Sequence, residues 1–156
     1  MRKAVGLLLV ANLTFSIASA ATFDEQRKIV AASPATQSEA VIISLLRAGI
    51  AEGQPTQAIA EARKWLRQNL PQDLNLLFHA GRAAELSGDA RGAAALYQQY
   101  LQTADPKSGT VGQAVIATHA LLRDQLNDPN AAYSFNRSVG DRLAANAASR
   151  QFDQWF

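Results

Sequence analysis

LNLLFHAGRAAELSGDARGAAALYQQYLQTADP, residues 74–106, decides the fold. Leu77, Ala80, Gly81 and Ala84 recur at three- and four-residue spacing, which puts them on one stripe of a helix. Asp73 stands where an N-cap belongs, and Ser87-Gly88-Asp89 breaks the pattern. Asp89 then caps a second helix to about Thr103, with Ala93, Leu96, Tyr97, Tyr100 and Leu101 on its inward side, and Asp105-Pro106 closes it. The stretch therefore reads as two amphipathic helices folded back on one another. One such pair cannot bury both apolar faces alone, so neighbouring pairs must stack on it.

The preceding segment, residues 39–73, supplies one. Thr36 and Glu39 have the spacing of a capping box and open a helix over about 37–52, with Ile42, Leu45, Leu46 and Gly49 on its inner face. Gly53-Gln54-Pro55 ends it and starts a second helix to about Leu70. In that helix Ala58, Ala62, Trp65 and Leu66 lie on one side, with Arg63, Lys64 and Arg67 on the other, and Pro71 closes it. Gly53 and Gly88, Ala58 and Ala93, Trp65 and Tyr100, and Pro71 and Pro106 are each 35 residues apart. A turn glycine, a close-packing alanine, a bulky aromatic and a terminating proline sharing one offset mark an internal repeat.

These units resemble tetratricopeptide repeats (TPRs), helix–turn–helix units of about 34 residues. In the second unit Leu77 takes the bulky first position, Ala80-Gly81 the Leu-Gly pair and Ala84 the place of an aromatic. Ala93 takes the small central position, Tyr97 the aromatic, and Pro106 the terminal proline, one residue late. The first unit has Leu45-Leu46 at the pair and Ala62 where an aromatic is usual. The resemblance implies an all-α fold of antiparallel helix pairs stacked as a short right-handed solenoid. The repeat domain is expected over 36–148, with repeats at about 39–73 and 74–108 and a degenerate third at 111–148. In that third pair a helix over 111–126 carries Val115, Ile116, Ala120 and Leu122, and Asn127-Asp128-Pro129 opens another with Ala132, Phe135, Val139 and Leu143. A few residues are inserted before it.

Residues 1–20 stand apart. Arg2 and Lys3 precede an apolar run, and Ala18-Ser19-Ala20 offers small residues at the positions a signal peptidase reads. The run is shorter than the ~20 apolar residues a membrane span needs. The expectation is export, with cleavage near Ala20-Ala21 and a periplasmic or extracellular location. A short helix and linker follow over 21–35, with Thr22 and Glu25 at capping-box spacing and Phe23, Ile29 and Val30 available to dock it.

Charge bears on partners. The chain has 15 Lys+Arg and 13 Asp+Glu, and losing Arg2 and Lys3 leaves 13 of each. A neutral chain without basic clusters is a poor ligand for nucleic acid or anionic lipid. There is no cysteine, which excludes disulfides and thiolate zinc sites.

Motifs for metalloprotease, nucleophile-elbow, phosphate-loop or calcium chemistry are missing from the sequence. His79 and His119 read as ordinary helix residues, and no cofactor or metal is expected. Asn136-Arg137-Ser138 matches a glycosylation triplet. Glu85, flanked by Ala83, Ala84 and Leu86, is the one acid whose neighbours suit a glycan-cleaving general acid, against the simpler reading of a solvated helix-end carboxylate.

What remains is a surface. The TPR resemblance implies that the first helix of each pair lines a concave groove for an extended peptide or partner helix. Carried across, the groove positions are Ile43, Arg47 and Ile50 in the first unit and Asn75, Phe78, Arg82 and Glu85 in the second. Arg47 and Arg82 are again 35 residues apart, so both face the same way. The expected role is a non-enzymatic adaptor for a protein or peptide partner. The rival is the N-terminal repeat segment of a longer exported protein whose activity lies downstream. Phe152, Trp155 and Phe156, in the tail over 149–156, fall on one helical face. The expectation is either that this stripe folds back on the last pair or that the chain is the front part of a longer protein, with a packing partner for these residues.

Overall fold

The structure, a computed structural model, describes residues 21–32 and 36–145, with side chains to Arg142. The expected signal segment, the Leu143 contact and the aromatic tail lie outside the described residues. Within them the fold is all-helical, a TPR-like solenoid of stacked pairs. The helices are α1 (Phe23–Ala32), α2 (Glu39–Ala51), α3 (Pro55–Leu66), α4 (Leu74–Leu86), α5 (Ala90–Thr103), α6 (Gly109–Ala120) and α7 (Pro129–Ala145). A π-helical turn, Leu121–Gln125, extends α6. No described helix is long and apolar enough to cross a membrane.

Helix boundaries follow local chemistry. Asp73 accepts from the Asn75 amide, and Asp89 from the Gly92 amide at 2.9 Å, so α4 and α5 start where a carboxylate takes up an orphan N–H. Asp128 does the same for α7, accepting from the Ala131 amide at 2.8 Å. Thr22 and Glu25 form the reciprocal capping box expected for α1. Thr36 and Glu39 behave differently from expectation. α2 starts at Glu39 behind Ser38 with no side-chain cap, and the Glu39 carboxylate instead accepts from the backbone amides of Gln72 and Asp73. Its charge therefore ties the start of the first pair to the start of the second. α3 also stops earlier than expected, at Leu66; beyond it the Trp65 carbonyl accepts from the Gln68 and Asn69 amides and the Asn69 side chain, and Leu70 is exposed.

The two turns one repeat apart are built alike. Gly53 and Gly88 have φ of 72° and 81°, a conformation glycine adopts without a Cβ penalty. Behind them the Gln54 amide reaches the Gly49 carbonyl and the Asp89 amide reaches the Ala84 carbonyl, both closing the preceding helix. The third pair uses Asn127 at φ 50°, which tolerates that region by local hydrogen bonding. From Asp89 to Asp128 the step is 39 residues rather than 35. The extra length sits in the first helix of the third pair. Thr118, buried, turns its hydroxyl back onto the Ala114 carbonyl, and the π turn follows directly. The inward face of α6 is set ahead of that turn by the stripe Val111, Ala114, Val115 and Thr118. Val111, Ala114, Val115, Leu121 and Leu122 are buried, whereas Ile116, expected inside, is 49% exposed.

One core runs from Phe23 to Val139. α4 is its axis: seven of its 13 residues are buried, because α2, α3 and α5 all pack on it. Ala58, Ala93 and Ala132, equivalent positions in the three pairs, are each essentially inaccessible and let paired helices approach closely. Trp65 and Tyr100, also equivalent, bury their rings and satisfy their polar tips, on the Gln37 carbonyl at 2.9 Å and the Thr110 hydroxyl at 2.6 Å. Where the family pattern has an aromatic, Ala84 is fully buried, and Tyr97 from α5 fills the space beside it across Gly81.

A Cβ on Gly81 would lie 2.8 Å from the Tyr97 ring. Gly81→Ala is therefore expected to destabilise by about 1–3 kcal/mol despite its better helix propensity. Gly109→Ala, with nothing within 4 Å, should be neutral or mildly stabilising. Urea unfolding of the two variants measures the difference.

Candidate functional site

α2 and α4 lie against one another as the first helices of successive pairs, and their outer stripes form one wall. Arg47 projects from α2, exposed, and no ion pair engages it among the described residues. Arg82, one repeat later on α4, is half exposed and pairs with Glu85 at 3.1 Å. Asn75 is exposed at the start of α4, its side-chain and backbone N–H groups both donating to the Asp73 carboxylate at 2.9 Å. Ile43 and Ile50 are half-buried and pack against the core edge.

Phe78 departs from expectation. It is 8% exposed, its ring centroid 5.9 Å from Tyr97 and 5.6 Å from Tyr100, so it belongs to the α4–α5 core rather than to an open wall. The small residues at Ala80, Gly81 and Ala84 leave room that aromatic packing from Phe78 and α5 fills.

Glu85 is also more engaged than a free helix-end carboxylate. It accepts from the Tyr97 hydroxyl at 2.8 Å as well as from Arg82. Burial and the Glu85 carboxylate push the Tyr97 phenol well above its ordinary value, so Tyr97 stays a donor. A carboxylate held by a guanidinium on one side and a buried phenol on the other orders the end of α4. Nothing in this arrangement presents it to a sugar as an acid.

The wall contains a residue that the sequence reading left among ordinary helix positions. His79 is half-buried, its ring edge-on to Phe78 at 5.6 Å. Burial, and next the positive charge of Arg47, lower its pKa below the usual imidazole value, with Asp73 opposing. Asn75, His79 and Arg82 follow each other by four and three residues, the signal that places them on one stripe. The wall thus offers two guanidinium groups on adjacent helices, an imidazole whose pKa is lowered by burial and by Arg47, and an amide.

His119 lies elsewhere, half-buried on α6, with Nδ1 3.1 Å from the Asn136 side-chain oxygen. That contact and the position of Asn136 within α7 remove the glycosylation triplet from the exposed loop that modification requires. Among the described residues no cluster of three His, Asp or Glu is gathered that could hold a metal.

No family model matches the chain, and no curated protein sequence matches it. The crystal structure of MamA, a TPR-containing protein, is similar to it with a TM-score of 0.57 at 13% identity. The likeness covers 86% of this chain and 82% of that one. At that identity the likeness establishes the fold.

Because the folded-state pKa of His79 lies below its unfolded value, protonation favours the unfolded chain. Stability is therefore expected to fall as pH drops through the ordinary imidazole value towards the folded one. An NMR titration should place the His79 midpoint below 6.5, and Arg47→Ala should move it upward by removing a repelling charge.

Proposed function

We propose that this chain is an exported TPR-like scaffold that binds an extended peptide or partner helix along the α2–α4 wall, by non-covalent recognition alone. The observation that carries the reading is the repetition of an exposed arginine, Arg47 then Arg82, one 35-residue step apart on two packed first helices. Packed helices lie about 8–10 Å apart, so the two guanidinium groups suit successive acceptors on one ligand. Arginine forks onto carboxylates, and the Asn75 amide suits peptide backbone. The ligand chemistry is therefore a peptide bearing acidic side chains or a free C-terminal carboxylate. The TPR-like fold supports a protein partner, and the composition of residues 1–20 supports export.

The test uses synthetic peptides of matched length with acidic, neutral or basic C-terminal segments, titrated against the protein by calorimetry. Acidic peptides should bind, weaken with salt, and lose about tenfold or more in affinity in the Arg47→Ala/Arg82→Ala variant, whose exposed substitutions leave the core intact. Equal binding of all three peptides, or affinity unchanged in the double variant, refutes the site.

A further inference from the structure

The two arginines of the α2–α4 wall are equivalent by position and unlike in their surroundings. Glu85, three residues after Arg82, corresponds to Ile50, three residues after Arg47, and Tyr97 corresponds to Ala62, each 35 residues apart. Arg47 is exposed, and its neighbour one turn on along α2 is the half-buried, apolar Ile50. No ion pair engages it among the described residues. Arg82 instead meets a carboxylate that the core holds in place. One oxygen of Glu85, Oε2, accepts from the Tyr97 hydroxyl at 2.8 Å and from Arg82 at 3.1 Å. The Glu85 side chain is 24% exposed, against 48% for Arg82. An exposed ion pair within one helix exchanges readily with outside ligands. This carboxylate, however, swings clear only by breaking its bond to a phenol that is fully buried and seated on Gly81.

We propose that Glu85 is a specificity-determining residue, which makes the wall accept one carboxylate, at Arg47, and refuse a second beside Arg82. The proposal rests on the α2–α4 wall being the peptide site, and it narrows the ligand class. Two bare guanidinium groups would favour the more negatively charged of any two ligands. Arg82 and Glu85 together carry no net charge, so a carboxylate brought to Arg82 meets attraction and repulsion at nearly one distance. It must also displace Glu85 or share the guanidinium with it. An uncharged amide fits better there, because the pair presents further N–H donors and an acceptor oxygen side by side. At Arg47 the whole positive charge is available, and Ile50 supplies an apolar flank. The fitting ligand is a peptide with a single acidic group, an apolar neighbour, and an Asn, Gln or backbone amide at the next contact.

Acetate, a minimal carboxylate, tells the two arginines apart without any peptide. It is titrated into the full chain against chloride at matched ionic strength, and the Nε–H signals of Arg47 and Arg82 are followed by NMR. In the wild type Arg47 should shift and Arg82 should stay still. Glu85→Gln removes the charge and keeps an acceptor for Tyr97 and Arg82, and in that variant both should shift. An Arg82 that responds as strongly as Arg47 in the wild type overturns the proposal. So does an Arg82 unmoved in the variant, or an Arg47 that never responds. Matched peptides with one or two acidic residues carry the comparison to calorimetry. The wild type should bind the one-acid peptide at least as well, and Glu85→Gln should improve the two-acid peptide about threefold or more. A two-acid preference present in the wild type and unchanged in the variant overturns the proposal. If acetate separates the arginines while neither peptide binds, the wall is not a peptide site and the role of Glu85 towards carboxylates stands.

Discussion

The stack depends on how closely α5 can lie on α4, and the Tyr97 ring resting on Gly81 determines that approach. Any side chain at residue 81 would meet the ring. With the space open, Tyr97 is buried to 1% exposure, its hydroxyl reaches Glu85, and its ring completes an aromatic group with Phe78 and Tyr100. α4 is in turn the helix on which α2 and α3 pack. A missing Cβ at one position therefore sets the spacing at the centre of the molecule. The buried alanines at 58, 93 and 132 repeat the same device more weakly at each pair.

The two joints between pairs are made differently, which divides the molecule by role. At the first, the Glu39 carboxylate holds the backbone at Gln72 and Asp73, and α2 lies along α4. Their outer stripes become one wall, with Arg47 and Arg82 one repeat apart and His79 on the same α4 stripe as Arg82. At the second, Tyr100 bonds Thr110, which also bonds Ser108, and α6 packs principally on α5 and α7. The first helix of the third pair is lengthened by its π turn, and Ile116, ahead of that turn, falls off the buried stripe of Val111, Ala114, Val115 and Thr118. Regular stacking at the first joint repeats one surface stripe from α2 to α4, and the lengthened helix breaks that repeat at the second joint.

Much of the candidate site is legible from spacing. Arg47 and Arg82 are found by subtraction and Asn75 through the family resemblance, whereas His79, read as an ordinary helix residue, is signalled only by its spacing of four from Asn75 and three from Arg82. The exposure of each depends on neighbours far away in sequence. Phe78 occupies a position that the family resemblance puts on the groove, yet it turns into the core because the small residues around it leave volume to fill. The Glu85 carboxylate, read alone, is a helix-end acid among apolar neighbours, and Tyr97, twelve residues on, makes it a hydrogen-bonded anchor.

The sequence alone determined the helices, their turns and the repeat, because caps, left-handed glycines, prolines and apolar periodicity act within a few residues of one another. Asp73, Asp89, Gly53 and Gly88 do in the structure what their neighbours in the chain require. Tertiary structure decided the rest. Glu39 leaves its own helix end for the next pair, Phe78 leaves the surface for the core, and the first helix of the third pair is lengthened through a π turn. Each outcome depends on which distant group offers a better hydrogen bond or an unfilled space. No local pattern carries that information, since it exists only once the pairs have stacked.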